Sequence, residues 1–360
     1  MGKGVWFCKM IRLKRQCLLP CRFFVLLVLV VSGLLAQSDR EFEDIYGQTV
    51  TLPKIITRLY GSAPAVNYMA AVLDDTPLVG VCFPQRSPDN KDADKFLSNH
   101  FMHLPLLGGW FGHGVPSLEA ILAKNPQVII TWDTPYYNDM VAKTFAGSGI
   151  PVLKMNFDDT SGYPDAFRYL GRILHKEKRA EALAQMAETY LAEVRAFVES
   201  IPEDQRVRVN YAEGYQGLQT ECDVSLHSEP LILAGAHMVH ECIQKEVHGL
   251  ERVDFRQIML YNPDVIIIHS PIFYRDIFTD LKWGMLKAVK HRRVYLIPST
   301  PFNWLNYPFS FMRVLGVHWT ASRLYPDRYP YDIRQKVRDF FKLFFNKELT
   351  DGELKAYFDL

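Results

Sequence analysis

The residues from 177 to 200 contain neither glycine nor proline. Within this stretch, apolar side chains recur at spacings of three and four residues, which is typical of a helix with one buried face. They are Leu183, Met186, Tyr190, Val194, Phe197 and Val198. A helix of this length spans roughly 36 Å. The stretch therefore predicts a long, stiff helix in the middle of the chain, with half of the body on each side of it.

Both halves alternate short apolar runs with helical stretches. The predicted strands cover residues 55–59, 78–82, 128–132, 151–153, 207–212, 265–269 and 294–297. The predicted helices cover residues 64–73, 116–123, 138–146, 229–234, 255–260, 310–324 and 331–345. Strands joined by helices favour parallel sheets that are covered on both faces. We therefore predict an α/β protein with two Rossmann-like lobes, joined by the long rigid helix, and a ligand cleft between the lobes.

The N-terminus has the pattern of an export signal. Residues 1–36 carry six basic side chains and no acidic one, and an apolar run of 13 residues spans 23–35. Such a run suits a signal peptide and is short for a membrane span. We predict cleavage between Ala36 and Gln37 and a mature protein in the periplasm or outside the cell. An uncleaved anchor is the alternative.

The predicted domains are a signal peptide (1–36), an N-terminal lobe (37–162), a helical connector (163–204) and a C-terminal lobe with terminal helices (205–360).

The charge and cysteine content of the body exclude several classes of function. Without residues 1–36 the chain has 35 basic and 40 acidic side chains, a mildly acidic balance that argues against a nucleic-acid partner. Three cysteines remain, and their spacing does not fit a zinc site. Cys222 and Cys242 are the better pair for a disulfide because they flank one predicted helix, although the sequence does not give their distance.

Aromatic residues are concentrated in the loops that follow the predicted strands. Those of the first half are Tyr60, Trp110, Phe111, Trp132, Tyr136 and Tyr137, and those of the second half are Tyr215, Phe273, Tyr274, Phe302 and Trp304. Ligands of open α/β sheets bind beyond the carboxyl ends of the strands. The set therefore predicts the wall of a pocket for a bulky, partly apolar ligand. The alternative for any single residue is packing beneath its loop.

Three histidines fall in the same predicted loops: His113, His227 and His269. Imidazole is a common metal ligand. His113 is the strongest candidate because it lies in the glycine-rich segment 108–114, where the backbone has room to approach a ligand. Ordinary hydrogen bonding is the alternative for each histidine. Neither a Gly-x-Ser-x-Gly nor a His-Glu-x-x-His motif is present, and we predict no catalytic residue and no intrinsic cofactor.

Several segments resemble the periplasmic binding proteins of importers for iron–siderophores, haem and cobalamin. The segment 116–130 resembles the first-lobe motif of that family, and 217–220 with 227–235 looks like the start of its second lobe. The segments 262–267, 294–298 and 301–326 follow in the family's order. The resemblance implies two α/β lobes joined by a long helix and an ATP-driven (ABC) importer as partner.

The resemblance also implies that one acidic residue on each lobe docks on the permease. Glu119 matches the first-lobe position. The second-lobe position falls at Arg256, where the family often has glutamate, so Glu251 or Asp254 is the expected substitute.

We therefore predict a monomeric, non-enzymatic solute-binding protein of an ABC importer that captures a metal chelate. The candidate ligands are a siderophore, haem, a corrinoid, or nickel or iron held by a small organic ligand. The predicted loops contain few cationic side chains, which favours a ligand of low negative charge. A metal- or tetrapyrrole-handling enzyme such as a chelatase is the alternative. The predicted ligand-binding residues are Tyr60, Trp110, Phe111, His113, Trp132, Tyr136, Tyr215, His227, His269, Tyr274, Phe302 and Trp304.

Overall fold

The computed structural model describes residues 39–86, 92–111, 116–134, 139–244 and 249–360. The first half contains the strands β1 (Asp39–Glu43), β2 (Thr49–Pro53), β3 (Leu59–Gly61), β4 (Val128–Trp132) and β5 (Val152–Met155), and the helices α1 (Pro64–Leu73), α2 (Asn99–Met102), α3 (Leu118–Ala123) and α4 (Met140–Phe145). Two helices follow without a strand between them: α5 (Tyr163–Leu174) and α6 (Glu177–Glu199).

The second half again alternates strands and helices. Its strands are β6 (Val207–Ala212), β7 (Gln219–Thr220), β8 (Ala236–Met238), β9 (Glu251–Arg252), β10 (Val265–Ile268) and β11 (Val294–Leu296). Its helices are α7 (Glu229–Leu233), α8 (Phe255–Tyr261), α9 (Pro271–Asp276), α10 (Lys287–Lys290), α11 (Arg313–Leu324), α12 (Ile333–Phe345) and α13 (Asp351–Phe358).

Each half is built on a parallel sheet. The first sheet has the strand order β3-β4-β5, and the second has the order β11-β10-β6-β8. Strands β4 and β10 are buried along almost their whole length, because helices cover both faces of each sheet. The carboxyl ends of the strands in each sheet lie at one edge, where ligands of such folds bind.

The long helix α6 packs against α5 on one side and against α11 and α12 on another. One continuous apolar core extends from the first sheet through these helices to β6 and α13. A smaller core lies on the other face of the second sheet and includes Ile266, Ile268 and Trp283. The two halves are therefore joined by shared packing as well as by the chain itself.

The α/β class with parallel sheets and a long helix is confirmed. Helix α6 begins at Glu177 and ends at Glu199, where the sequence predicts it, and Ser117 caps α3 by accepting a hydrogen bond from the Ala120 amide. The predicted strand at 78–82 is wrong, because only isolated bridges form there, from Leu78 to Leu59 and from Val81 to Leu106. Gly80 packs closely against the neighbouring segment, since a Cβ there would lie 2.8 Å from the carbonyl oxygen of Pro105.

Cys222 and Cys242 form a disulfide, with their Cα atoms 5.2 Å apart. The bridge confirms the better of the possible pairings. Cys82 is the remaining described cysteine; it is buried, and burial raises the pKa of its thiol.

Several predictions concern residues outside the described ranges or stay untested. The signal peptide, His113 and Tyr136 lie outside the described residues. No helix in the part of the chain that the structure covers combines the length and apolar character needed to span a membrane. The lobe boundaries at residues 162 and 204 stay predictions.

His318 of α11 sits where the long helix meets the C-terminal helices. Its side chain is fully buried, Nε2 lies 3.0 Å from the carbonyl oxygen of Tyr190 on α6, and Nδ1 is hydrogen-bonded to the hydroxyl of Tyr329. Burial, with a smaller contribution from the charge of Lys336, lowers the pKa of His318 to about 3. The imidazole is therefore neutral in the folded protein at neutral pH.

This burial predicts a pH-dependent stability. Between pH 6.5 and 3 the unfolded chain binds a proton at His318 and the folded chain does not, so the free energy of unfolding falls as the pH falls, by up to about 1.4 kcal/mol per pH unit from this residue. In urea titrations at pH 7 and pH 5, His318→Gln should lose less stability on acidification than the wild type. His103→Gln, at an exposed position, should keep the wild-type loss. An unchanged loss in His318→Gln would show that His318 is not responsible.

Candidate functional site

A chain of aromatic rings crosses from one sheet to the other. Trp132 ends β4 in the first sheet, and its indole lies edge-on to the ring of Phe309, which follows the second sheet, at a centroid distance of 5.4 Å. The ring of Phe309 is 4.9 Å from the imidazole of His227. Trp132 also contacts Phe111 at 5.2 Å and stacks on Phe157 at 5.2 Å. The contact between the halves is therefore apolar and lies at the carboxyl end of β4, where a ligand cleft is expected.

The indole of Trp132 is held by a carboxylate. Its Nε1 donates a hydrogen bond of 2.6 Å to Oδ1 of Asp158, which follows β5. Burial raises the pKa of Asp158, although this hydrogen bond opposes the shift. The bond fixes the plane of the indole, so that the ring keeps its orientation toward Phe309 without help from a ligand.

Arg313, at the first position of α11, joins the two halves by polar contacts beneath the rings. It is completely buried; Nη1 donates to the carbonyl of Asp158 at 3.1 Å, and Nη2 donates to the carbonyl of Leu226 at 2.7 Å and to Oε2 of Glu229 at 3.0 Å. Its guanidinium also lies 4.5 Å from the centroid of the Phe309 ring. Both terminal nitrogens of the guanidinium thus donate to protein acceptors, which lie in the two halves.

Glu229 extends this connection. Its carboxylate accepts hydrogen bonds from the amide and the hydroxyl of Thr160, at 3.2 and 2.5 Å. Thr160 follows β5 of the first sheet, whereas Glu229 begins α7 of the second half. We call the set of Asp158, Thr160, Leu226, Glu229 and Arg313 the interlobe clasp.

A second polar network lies behind His227. Its Nδ1 is hydrogen-bonded to Oδ1 of Asn306, and the amide nitrogen of Asn306 donates to the hydroxyl of Tyr211 at 3.0 Å and to Oε1 of Glu213 at 2.9 Å. Asn306, Tyr211 and Glu213 are all buried. Burial, and then the neighbouring charge of Glu221, raise the pKa of Glu213 well above its usual range. Glu213 therefore releases its proton less readily than an exposed glutamate does.

The structure brings together part of the residue set predicted from the sequence. Trp132, Phe111 and His227 belong to the ring chain or border it. Trp110 is half-buried and packs edge-on against Phe145 at 5.9 Å. His269 follows β10 and is half-buried, and its amide donates to the carbonyl of Ala212 at the end of β6. These placements are compatible with a role in the cleft, which stays a prediction.

Three residues predicted to line the pocket lie in the core instead. Trp304 is completely buried, packs on Phe358 at 4.9 Å, and donates from its indole to the carbonyl of Thr300. Tyr60 is also completely buried, and its hydroxyl donates to the carbonyl of Gly108. Phe302 is buried and stacks on Tyr68 at 3.8 Å. The expectation that Trp304 lines the pocket is therefore wrong, because Phe341 of α12 and Phe358 of α13 pack against its indole.

Two further predicted residues lie apart from the ring chain. Tyr215 is 77% exposed. Tyr274 packs on Phe278 and lines a cavity of about 310 Å³ with Tyr295, Arg323 and residues 355–359. None of the three residues Trp132, His227 and Phe309 lines that cavity. Loop position alone does not bring these tyrosines to the cleft.

The sequence argument missed Phe309, Arg313, Asn306 and Glu213. Their partners are distant in the sequence: Arg313 and Asp158 are separated by 155 positions, and Asn306 and Glu213 by 93. A local signal did exist for Arg313, since an arginine at the start of a helix must find acceptors if that helix is buried.

Comparison with known proteins identifies the family. The sequence profile of the family described as periplasmic binding protein matches residues 111–301. The chain is also 57% identical to the crystallised ABC transporter solute-binding protein of Sulfurospirillum deleyianum, with a TM-score of 0.86 over 89% of this chain and 99% of that one. The chain belongs to the periplasmic binding protein family.

More distant relatives share the fold of this binding protein. It is 24% identical to the molybdate-binding protein MolA of Haemophilus influenzae over 86% of this chain and 92% of MolA, and the TM-score to the molybdate-bound MolA structure is 0.71. Helicobacter pylori CeuE, in a nickel–histidine complex, gives a TM-score of 0.68 at 16% identity over 89% of this chain and 99% of CeuE. These solved relatives are two-lobed periplasmic binding proteins.

Family membership decides the expected role of the protein. The protein is the periplasmic substrate-binding component of an ABC transporter, it binds a small molecule, and it works with a permease. Members of the family are binding proteins and not enzymes. The chelatase alternative is therefore set aside.

The interlobe clasp yields a stability prediction. Arg313→Met should lower the free energy of unfolding by about 3–5 kcal/mol, because it removes the positive charge from a pair in a buried site and leaves Glu229 without its partner. The double variant Arg313→Met/Glu229→Met should recover part of this loss, since it removes the unpaired charge. Urea unfolding of the three proteins measures both effects.

Arg256→Met is the matched control. The Arg256 side chain is 87% exposed, so its loss should change stability by less than about 0.5 kcal/mol. A cost for Arg313→Met as small as that of Arg256→Met would contradict the structural role of the clasp.

Proposed function

We propose that this binding protein captures a compact complex of nickel or iron with a small organic ligand and delivers it to its permease. The observation that carries the proposal is the position of His227: it is a half-buried imidazole whose Nδ1 is bonded to Asn306, and it is one ring away from the contact between the lobes. Imidazole is a ligand for both metals, and it completes the coordination of an incompletely chelated ion.

The packing of the rings favours a small ligand over a large one. Trp132 and Phe309 are in contact across the lobes, and the clasp joins the lobes beneath them. A haem or corrinoid ring would have to separate both sets of contacts, whereas a small complex needs a smaller opening. The aromatic surfaces then cover the apolar part of the organic ligand.

Molybdate is the second candidate, because the similarity to MolA covers most of both chains. A tetrahedral oxyanion requires several hydrogen-bond donors. The guanidinium of Arg313 already donates to three protein acceptors, and Lys154, near the end of β5, is paired with Asp133 and Asp139. The occupied cations support a ligand of low negative charge over an oxyanion.

Titration calorimetry distinguishes the candidates. The ligands are nickel(II) with excess histidine, ferric citrate, haem and sodium molybdate, each added to metal-free protein. Saturable binding of the nickel or iron complex with one site per chain is expected. Binding of molybdate alone would replace the proposal with the second candidate, and binding of haem alone would refute the argument from ring packing.

Two tryptophan substitutions test the cleft against the core. Trp132→Ala should weaken binding of the nickel–histidine complex by about 1–3 kcal/mol, because the indole borders the proposed site. Trp304→Ala should leave affinity nearly unchanged and lower the free energy of unfolding by about 3–5 kcal/mol, because it opens a cavity in the core. Calorimetry and urea unfolding of both variants separate the effects, and unchanged affinity in Trp132→Ala would place the ligand elsewhere.

Export through the N-terminal signal is part of the proposal. The mature protein should begin near Gln37, because the apolar run at 23–35 has the length of a signal peptide's central region. Intact mass of the periplasmic protein measures the cleavage site. Leu29→Arg should keep the full-length chain in the cytoplasm, and a full-length wild-type chain in the membrane fraction would support the uncleaved anchor instead.

For the permease contact we propose Glu119 on the first lobe, which is exposed in the first turn of α3. On the second lobe, Glu251 is half-buried in β9, whereas the side chain of Asp254 at the start of α8 is 65% exposed. The greater exposure favours Asp254 over Glu251 as the docking acid. We further propose that the protein acts as a monomer.

A further inference from the structure

Asn306 is fixed in place on every side. Its own amide N–H donates to Oδ1 of Asn303 at 2.8 Å, as does the amide of Leu305 at 2.9 Å, which closes a tight turn before α11. The side chain of Asn306 is buried between His227, Tyr211 and Glu213. Neither the backbone nor the side chain of Asn306 is therefore free to rotate.

The hydrogen bonds of Asn306 determine which way its amide points. An asparagine side chain has two N–H donors on Nδ2 and an acceptor at Oδ1. The Nδ2 donors have two acceptors, the Tyr211 hydroxyl at 3.0 Å and Oε1 of Glu213 at 2.9 Å. Oδ1 is thereby left on the side of His227, and an acceptor at that position requires a proton on Nδ1 of the imidazole.

A neutral imidazole that carries its proton on Nδ1 has its lone pair on Nε2. The two ring nitrogens point in divergent directions, so Nε2 points away from the buried Asn306. Metal-binding histidines are commonly oriented in this manner, with the second ring nitrogen donating to an oxygen of the protein.

We propose that Asn306 is a positioning residue, which holds neutral His227 as the Nδ1–H tautomer and thereby makes Nε2 a metal ligand. The assignment of a metal to Nε2 rests on the proposed function, whereas the assignment of the tautomer does not. Tyr211 and Glu213 serve as supports for Asn306 in this arrangement. The chemical class of ligand is a borderline metal ion, nickel(II) or iron, with an open coordination position.

The tautomer is measured without any ligand. Long-range ¹H–¹⁵N correlation spectra of histidine-labelled, metal-free protein at neutral pH should show a protonated Nδ1 and an unprotonated Nε2 for His227, assigned by its loss in His227→Gln. In Asn306→Leu, which removes the acceptor, the Nε2–H tautomer should become populated. Glu213→Gln should keep the wild-type tautomer, because the glutamine oxygen still accepts from Asn306.

Metal binding provides the second measurement. With nickel(II) and excess histidine as the probe, Asn306→Leu should weaken binding by about 10–100-fold, the usual effect of removing the partner of a metal-binding histidine. His227→Gln should weaken it at least as much, and the double variant should lose little more than His227→Gln alone, because Asn306 acts through His227.

Two results would overturn the inference. One is a wild-type spectrum with the proton on Nε2 of His227, a result that does not depend on the folding of Asn306→Leu. The other is a loss in the double variant equal to the product of the single losses, which would show that Asn306 acts independently of His227. If no metal complex binds the wild type, the metal-ligand part of the inference fails with the proposed function, and the spectrum still decides whether Asn306 sets the tautomer.

Discussion

The buried guanidinium of Arg313 is the contact on which the arrangement of the two lobes depends. It reaches the carbonyl of Asp158 in the first half and Glu229 and Leu226 in the second, with no exposed surface of its own. A charge in such a place is stable only when acceptors surround it. The acceptors come from both halves, so any movement that separates the lobes must also remove partners from a buried charge.

The long helix imposes a second constraint on the same movement. Helix α6 has no residue that favours a kink, and it packs against α5, α11 and α12. His318 adds a buried polar contact to this packing, between α11 and the backbone of α6. The helix packing and the clasp therefore join the two lobes at separate places.

The contact between the lobes combines two features with different physical roles. The rings of Trp132, Phe309 and His227 form a continuous apolar contact between the lobes. Behind them, the hydrogen bonds of Asn306 give the imidazole a defined direction. The similarity to the Sulfurospirillum protein shows the role of the chain as an importer's binding component, whereas the relatives that name a ligand are below 25% identity and show the fold alone.

By itself, the sequence determined the α/β class, the long helix, and most strands and helices near their observed positions, because local periodicity and capping residues set these features. It also indicated the edge of the first sheet where Trp132 lies. It did not predict the N-terminal hairpin of β1 and β2, or helix α13, whose capping box of Thr350 and Glu353 was a readable signal.

Only the tertiary structure decided that Trp304 is a core residue and that Trp132 is not. In the sequence both are tryptophans in loops or at strand ends, and they differ only in what packs over them in the fold. Only the tertiary structure brought Arg313 to Asp158 and Asn306 to His227. The two pairs are separated by 155 and 79 positions in the sequence. Contacts over such separations depend on how whole helices and sheets pack, and no local pattern in the chain encodes them.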